Sequence, residues 1–142
     1  MRNTRIIVAT LLAVFVGVAL IGSTAALAAP QMKDQMKGMM HTSKPFAGPK
    51  ANKGTVSHSV VNGKSMLTLS DDFVVPDTPD PHWMLVDSTG QQYLVQKLKI
   101  KNDGYNKSIE VPSYVKDVAK VIIWCAWAES NLGEASFDKP VK

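Results

Sequence analysis

Cysteine is nearly missing from this chain: among 142 residues there is one, Cys125. An internal disulfide is therefore excluded. So is covalent c-type haem attachment, which needs a Cys-x-x-Cys-His run. Arginine is confined to Arg2 and Arg5. No cluster of Arg and Lys stands out of the kind that nucleic-acid binding uses, so nucleic acid is not an expected partner. No long segment of 3.6-residue apolar period occurs, which argues against a helical bundle. Enzyme signatures are also lacking: there is no phosphate-cradling glycine loop, no Gly-x-Ser-x-Gly and no histidine pair at metalloprotease spacing. No catalytic constellation is found. Asp71, Asp72, Asp77 and Asp80 do not follow the EF-hand order and read as a solvated acidic loop.

What is present begins with MRNTRIIVATLLAVFVGVALIGSTAALAAP. Two arginines precede an uncharged apolar run, Ile6 to Ile21, and small residues follow, ending in Ala26-Leu27-Ala28. This is the pattern of a signal peptide over residues 1–28, with cleavage expected after Ala28 and a periplasmic or secreted product. The run of 16 falls short of the roughly 20 residues a membrane-spanning helix needs, so membrane contact is expected only if the segment is retained as an anchor. No cysteine near the cleavage point offers a lipid anchor. Without the two arginines, 14 Lys face 12 Asp and Glu, a net charge of +2.

Residues 29–54, rich in Pro, Gly and Lys, hold no sustained apolar period and are expected to form a flexible leader. Short strand-like runs follow, separated by turn chemistry: Thr55–Val61, Asn62-Gly63, Lys64–Ser70, the proline loop Pro76–Pro81, His82–Asp87, Gln91–Lys99, Ser108–Val111, Val121–Trp127 and Glu134–Asp138. Asn-Gly between two such runs predicts a hairpin, because both residues tolerate positive φ. Seven to eight short strands at this spacing predict one all-β domain over residues 55–138, a compact antiparallel sandwich or barrel, with 139–142 as a tail.

Side chains alternate along a strand. Val121, Ile123, Cys125 and Trp127 are thus expected on one face, and Ile122, Trp124 and Ala126 on the other. Both faces are apolar, which predicts a central strand and a shielded thiol. Desolvation alone places such a thiol above the ordinary value of about 8.5. A free cysteine of this kind is also a common packing residue, and an unpaired one in an exported chain is a candidate for reactive or ligating chemistry.

The stretch VIIWCAWAESNLGEASF, together with LTLSDDFVVPDTPDPHWMLV upstream, resembles the DM-thirteen domain family over about residues 50–138. That resemblance implies a small extracytoplasmic β domain, standing alone in bacteria, with an electron-transfer role proposed for its cysteine as a naked thiol or a haem ligand. Only Cys125 carries over in that role. Phe73, Asp77, Trp124, Gly133 and Ala135 match pattern positions and read as fold determinants: Phe73 for the core, Asp77 for the loop, Gly133 and Ala135 for close backbone approach. If haem is the centre, a second axial ligand is expected from His82, Met84 or His58. If the thiol acts alone, the partner is another redox protein or a small-molecule oxidant. The alternative is a non-catalytic binding or structural domain in which Cys125 only packs.

The leader carries a separate signal. Met32, Met36, Met39, Met40 and His41 place four of the seven methionines and one histidine within ten positions. Soft thioethers select Cu(I), so these residues are candidate copper ligands. The alternatives are an unstructured tether or an amphipathic stripe, the methionines falling at i, i+4, i+7 and i+8.

Overall fold

The computed structural model describes residues 40–100 and 104–142. They form eight strands: β1 (His41–Thr42), β2 (Val56–Val61), β3 (Lys64–Leu69), β4 (Pro81–Val86), β5 (Gln92–Lys97), β6 (Ser108–Glu110), β7 (Val118–Cys125) and β8 (Ser130–Val141). Two four-stranded antiparallel sheets result, ordered β1-β2-β3-β6 and β5-β4-β7-β8. The all-β sandwich expected from the sequence is the observed architecture, and no helix occurs among the described residues.

Turn chemistry sets the register. Asn62 (φ 51°) and Gly63 (φ 76°) make the two-residue turn between β2 and β3, closed by the Val61–Lys64 pair. Positive φ at both turn residues gives the turn the right-handed twist of the strands it joins. Between β4 and β5 the buried Asp87 carboxylate organises the loop. It accepts from the Thr89 amide (2.9 Å), the Thr89 hydroxyl (2.6 Å), the Gln91 amide (3.0 Å) and the Tyr93 hydroxyl (3.0 Å).

Alternation then sorts the side chains. Leu67 and Leu69 of one sheet face Trp83, Leu85, Val121 and Ile123 of the other, all fully buried in one cluster. Each of the aliphatic groups contributes about 1.5–3 kcal/mol by leaving water. Trp83 satisfies its buried indole N–H by donating to the Asn106 carbonyl at 2.9 Å. Phe73 joins the core between Phe46 and Tyr105, with ring centroids 5.1 and 6.5 Å away.

Three expectations need correction. The fold starts before Thr55: β1 pairs with β2, Phe46 and Ala51 are buried, and Ala47 exchanges both backbone hydrogen bonds with Glu134. A segment poor in periodicity is ordered because it lies along other strands rather than forming its own layer. β7 spans Val118–Cys125, beginning three residues before the expected Val121 and ending two before Trp127. Trp127 therefore leaves the Cys125 face, stands in the β7–β8 turn and is 75% exposed. β8 is also far longer than Glu134–Asp138.

Candidate functional site

Cys125 is the last residue of β7, opposite Pro81 of β4 and Ser130 of β8. The chain turns immediately after it through Ala126–Glu129, with Glu129 at φ 47°. This tight turn folds its own amides back over the strand end. The Ala126 amide donates to the Asp80 carbonyl at 2.9 Å, tying the turn to the proline loop that leads into β4. Two loops thus meet over one sulfur.

Their meeting changes the chemistry of the thiol. The Ala128 amide is the strongest influence and favours the thiolate by donating to the sulfur; burial opposes it; the amides of Asp80 and Trp127 add to the lowering. The Thr78 hydroxyl, buried beside the cleft and without a hydrogen-bond partner, adds the smallest lowering influence. The balance holds the Cys125 pKa below the ordinary thiol value. The expectation of a raised pKa is overturned, because the sulfur lies at a strand end among backbone donors and not among aliphatic groups alone. Hydrogen bonds to the charged form outweigh desolvation here.

Cys125 is 1% exposed, yet it contributes to the wall of an open cleft of about 330 Å³. Lys50, Thr78, Pro79, Trp127, Asn131 and Leu132 are among its other lining residues. A slightly larger cleft of about 370 Å³ lies between Val60, Lys64, Ser65, Glu110, Val111 and Lys142. Its charges are already engaged: Lys64 pairs with Glu110 at 2.8 Å and Lys142 Nζ donates to the Ser113 and Val115 carbonyls. The Cys125 cleft is the one that carries a reactive group.

The expected second ligands are not brought to the sulfur. His82 lies opposite Trp124, and Met84 opposite Ile122, while Cys125 lies opposite Pro81. Alternation therefore puts His82 and Met84 on the outer face of their sheet and Cys125 on the inner face. His82 is engaged with its own loop, 3.0 Å from the Asp80 carbonyl. His58 is in the other sheet, where its ring contacts Ser65 (3.0 Å) and stacks near His41. The donor set does not fit a six-coordinate haem at Cys125. Of the copper candidates, Met32, Met36 and Met39 lie outside the described residues; Met40 is half exposed, and His41 opens β1.

The sequence reading missed Thr78, Asp80 and Ala128. The available signal was a strand ending in Cys followed by a four-residue turn with small residues at Ala126 and Ala128, which lets successive amides curl toward the sulfur. Of the pattern residues, Phe73, Gly133 and Ala135 behave as fold determinants. Gly133 packs so close to Ala51 that a Cβ there would lie 1.9 Å from the Ala51 carbonyl oxygen, and Ala135 is buried opposite Val121. Asp77 stands exposed in the loop, with Lys99 3.6 Å away. Comparison of the chain with family models, curated proteins and solved structures finds no match.

Proposed function

We propose that this chain is an exported redox module whose working group is the Cys125 thiolate acting without a metal. The observation that carries the reading is a cleft in which Cys125 lies between the Thr78–Pro79 loop and the Trp127–Ala128 turn, where nearby backbone amides lower the pKa of its thiol. A thiolate is the nucleophile in thiol–disulfide exchange, and its availability depends on a lowered pKa and on access. In the proposed step the Cys125 sulfur attacks one sulfur of a partner disulfide. The partner's S–S bond breaks, a Cys125 mixed disulfide forms, and the second partner sulfur leaves as a thiolate. A second thiol then reverses the linkage and returns Cys125 to its thiolate. With no second cysteine in the chain, resolution falls to the partner.

Export is supported by the N-terminal residues, whose charged start, apolar run and small residues suit a signal peptide. The thiol reading is favoured over haem ligation because His82 and Met84 project from the opposite face of the sheet.

The test is the pH dependence of iodoacetamide alkylation in the native chain. The expected rate profile has its inflection below the free-thiol value of about 8.5, and incubation with glutathione disulfide yields one adduct per chain. Labelling that begins only on denaturation, or an inflection at or above that of free cysteine, overturns the reading and leaves Cys125 as a packing residue of a binding or structural domain.

A further inference from the structure

The chain from His41 to Ala51 forms a strap that bonds to both sheets through its backbone. The Ser43 amide donates to Val56 of β2 at 2.8 Å. The amides of Lys44, Ala47 and Ala51 donate to Ser136, Glu134 and Leu132 of β8 at 2.8, 2.9 and 2.7 Å. Toward its far end the strap supplies Pro49 and Lys50 to the wall of the Cys125 cleft. Its near end is held by two imidazoles.

β1 pairs with β2 in a register that sets His41 directly opposite His58, and directly opposed residues of an antiparallel pair share a face. Their Nδ1 atoms are 3.4 Å apart. His58 is 2% exposed, and its Nε2 lies 3.0 Å from the Ser65 hydroxyl of β3. In either tautomer, one proton occupies the gap between the two Nδ1 atoms. Protonating both rings puts an N–H on each Nδ1, head to head, and brings a charge into a buried position.

The groups around His58 offer that charge no partner. β1 presents His41; β3 presents Ser65 and, directly opposite, Leu67. On the β8 side, Asp138 is exposed and pairs with Lys44 at 3.4 Å, and Glu134 is taken by Lys120. The histidine–carboxylate pair found among the described residues belongs to His82 and Asp80. Burial first, and then the charge of His41, hold the His58 pKa below its ordinary value of 6.5.

We propose that the His41–His58 pair is a pH-sensitive latch: acidification protonates His58, releases β1 with the strap behind it, and loosens the wall of the Cys125 cleft. With the strap released, His58 stands in water and takes a proton near about 6.5. With the strap docked, the proton is held off until lower pH. The latch is therefore complete above the ordinary value, and its contribution is lost as pH falls through the lower docked value. The consequence for Cys125 rests on the thiolate reading of that residue; the latch does not.

The experiment is NMR hydrogen exchange of the full chain at about pH 7.5 and about pH 5.5, compared as protection factors. The Ser43, Lys44 and Ala47 amides are expected to lose about threefold to tenfold in protection on acidification, the range that one proton taken up over one pH unit allows. Leu85 and Ile123 in the central strands keep theirs. His58→Gln retains a hydrogen-bonding side chain that does not titrate, and its strap protection is expected to be equal at the two pH values. His41→Gln, at an exposed position, removes the like charge and is expected to lose less protection than wild type, which tests the latch even if His58→Gln fails to fold. At the lower pH, Cys125 is expected to react with a pyridyl disulfide faster in wild type than in His58→Gln, and equally fast at the higher pH. Wild-type strap protection that ignores pH, or the same fall in His58→Gln, overturns the latch. A strap that opens while the two Cys125 rates stay equal overturns the link to the cleft. Native Cys125 that never reacts in either protein overturns the thiolate reading and leaves the latch standing.

Discussion

Gly48 and Gly133 pack backbone against backbone: a Cβ on Gly48 would fall 2.2 Å from the Gly133 Cα and 2.6 Å from the Leu132 carbonyl oxygen. On its other side Gly133 is covered by Ala51. This contact clamps the segment after β1 onto β8, whose Leu132 carbonyl accepts from the Lys50 and Ala51 amides at 3.0 and 2.7 Å. It also holds Lys50 and Leu132 where they line the Cys125 cleft.

Gly133→Ala is therefore expected to destabilise the fold by about 2 kcal/mol or more, since the added carbon meets rigid backbone and not a flexible side chain. Gly63→Ala serves as the contrast. It faces open space but sits at φ 76°, so it costs about 1 kcal/mol through backbone conformation alone. Urea unfolding of both variants checks the order; a Gly133→Ala loss equal to or smaller than that of Gly63→Ala refutes the clamp.

Trp83 couples packing to a hydrogen bond. Trp83→Ala is expected to cost about 3–5 kcal/mol through the cavity it leaves. Trp83→Phe keeps most of the volume but strands the Asn106 carbonyl, at a cost of about 1–3 kcal/mol. A Trp83→Phe loss indistinguishable from zero, measured by denaturation, would mean that the indole N–H contributes nothing.

The Cys125 environment predicts opposite behaviour for two neighbours. Thr78→Val removes a buried hydroxyl that favours the thiolate, so the inflection of the alkylation profile moves to higher pH. Trp127→Ala removes an exposed ring from the cleft wall and leaves the Trp127 amide in place. Its stability should stay within about 0.5 kcal/mol of wild type, while labelling of Cys125 accelerates. A Thr78→Val profile that does not move shows that the backbone amides act alone.

Asp87 sets an acid limit. The Thr89 hydroxyl first, then the Gln91 amide, the Tyr93 hydroxyl and the Thr89 amide hold its pKa below the ordinary carboxylate value, against the opposing effect of burial. A carboxylate depressed in the folded state contributes stability that is complete above its unfolded value of about 3.9. That contribution is lost as pH falls through the lower folded value. The urea midpoint is expected to drop across that window in the wild type. Asp87→Asn should start lower at neutral pH and fall less on acidification. Parallel pH curves for the two proteins would remove Asp87 as the cause.

Much of the fold was legible because its signals are local. Asn62-Gly63 marks the first hairpin, and the alternation of His82–Asp87 and Val121–Cys125 marks central strands, since these depend on φ preference and side-chain period. Residues 40–54 were illegible for the complementary reason. Phe46 and Ala51 are buried and Ala47 bridges to Glu134, but their partners lie more than 80 positions away for β8, and no local period announces them.

By itself, the chain's sequence determined the all-β class, the turns and the presence of one thiol near the end of an apolar strand, because propensity and period act between near neighbours. Tertiary structure alone decided the character of that thiol. Burial predicted a reluctant acid; the meeting of the Thr78–Asp80 loop with the Trp127–Ala128 turn made it a favoured one. It decided equally that His82 and Met84 face away from the sulfur, and that His41 and His58 face each other. Strand order and register fix which side chains share a face, and both are set by packing between elements distant along the chain.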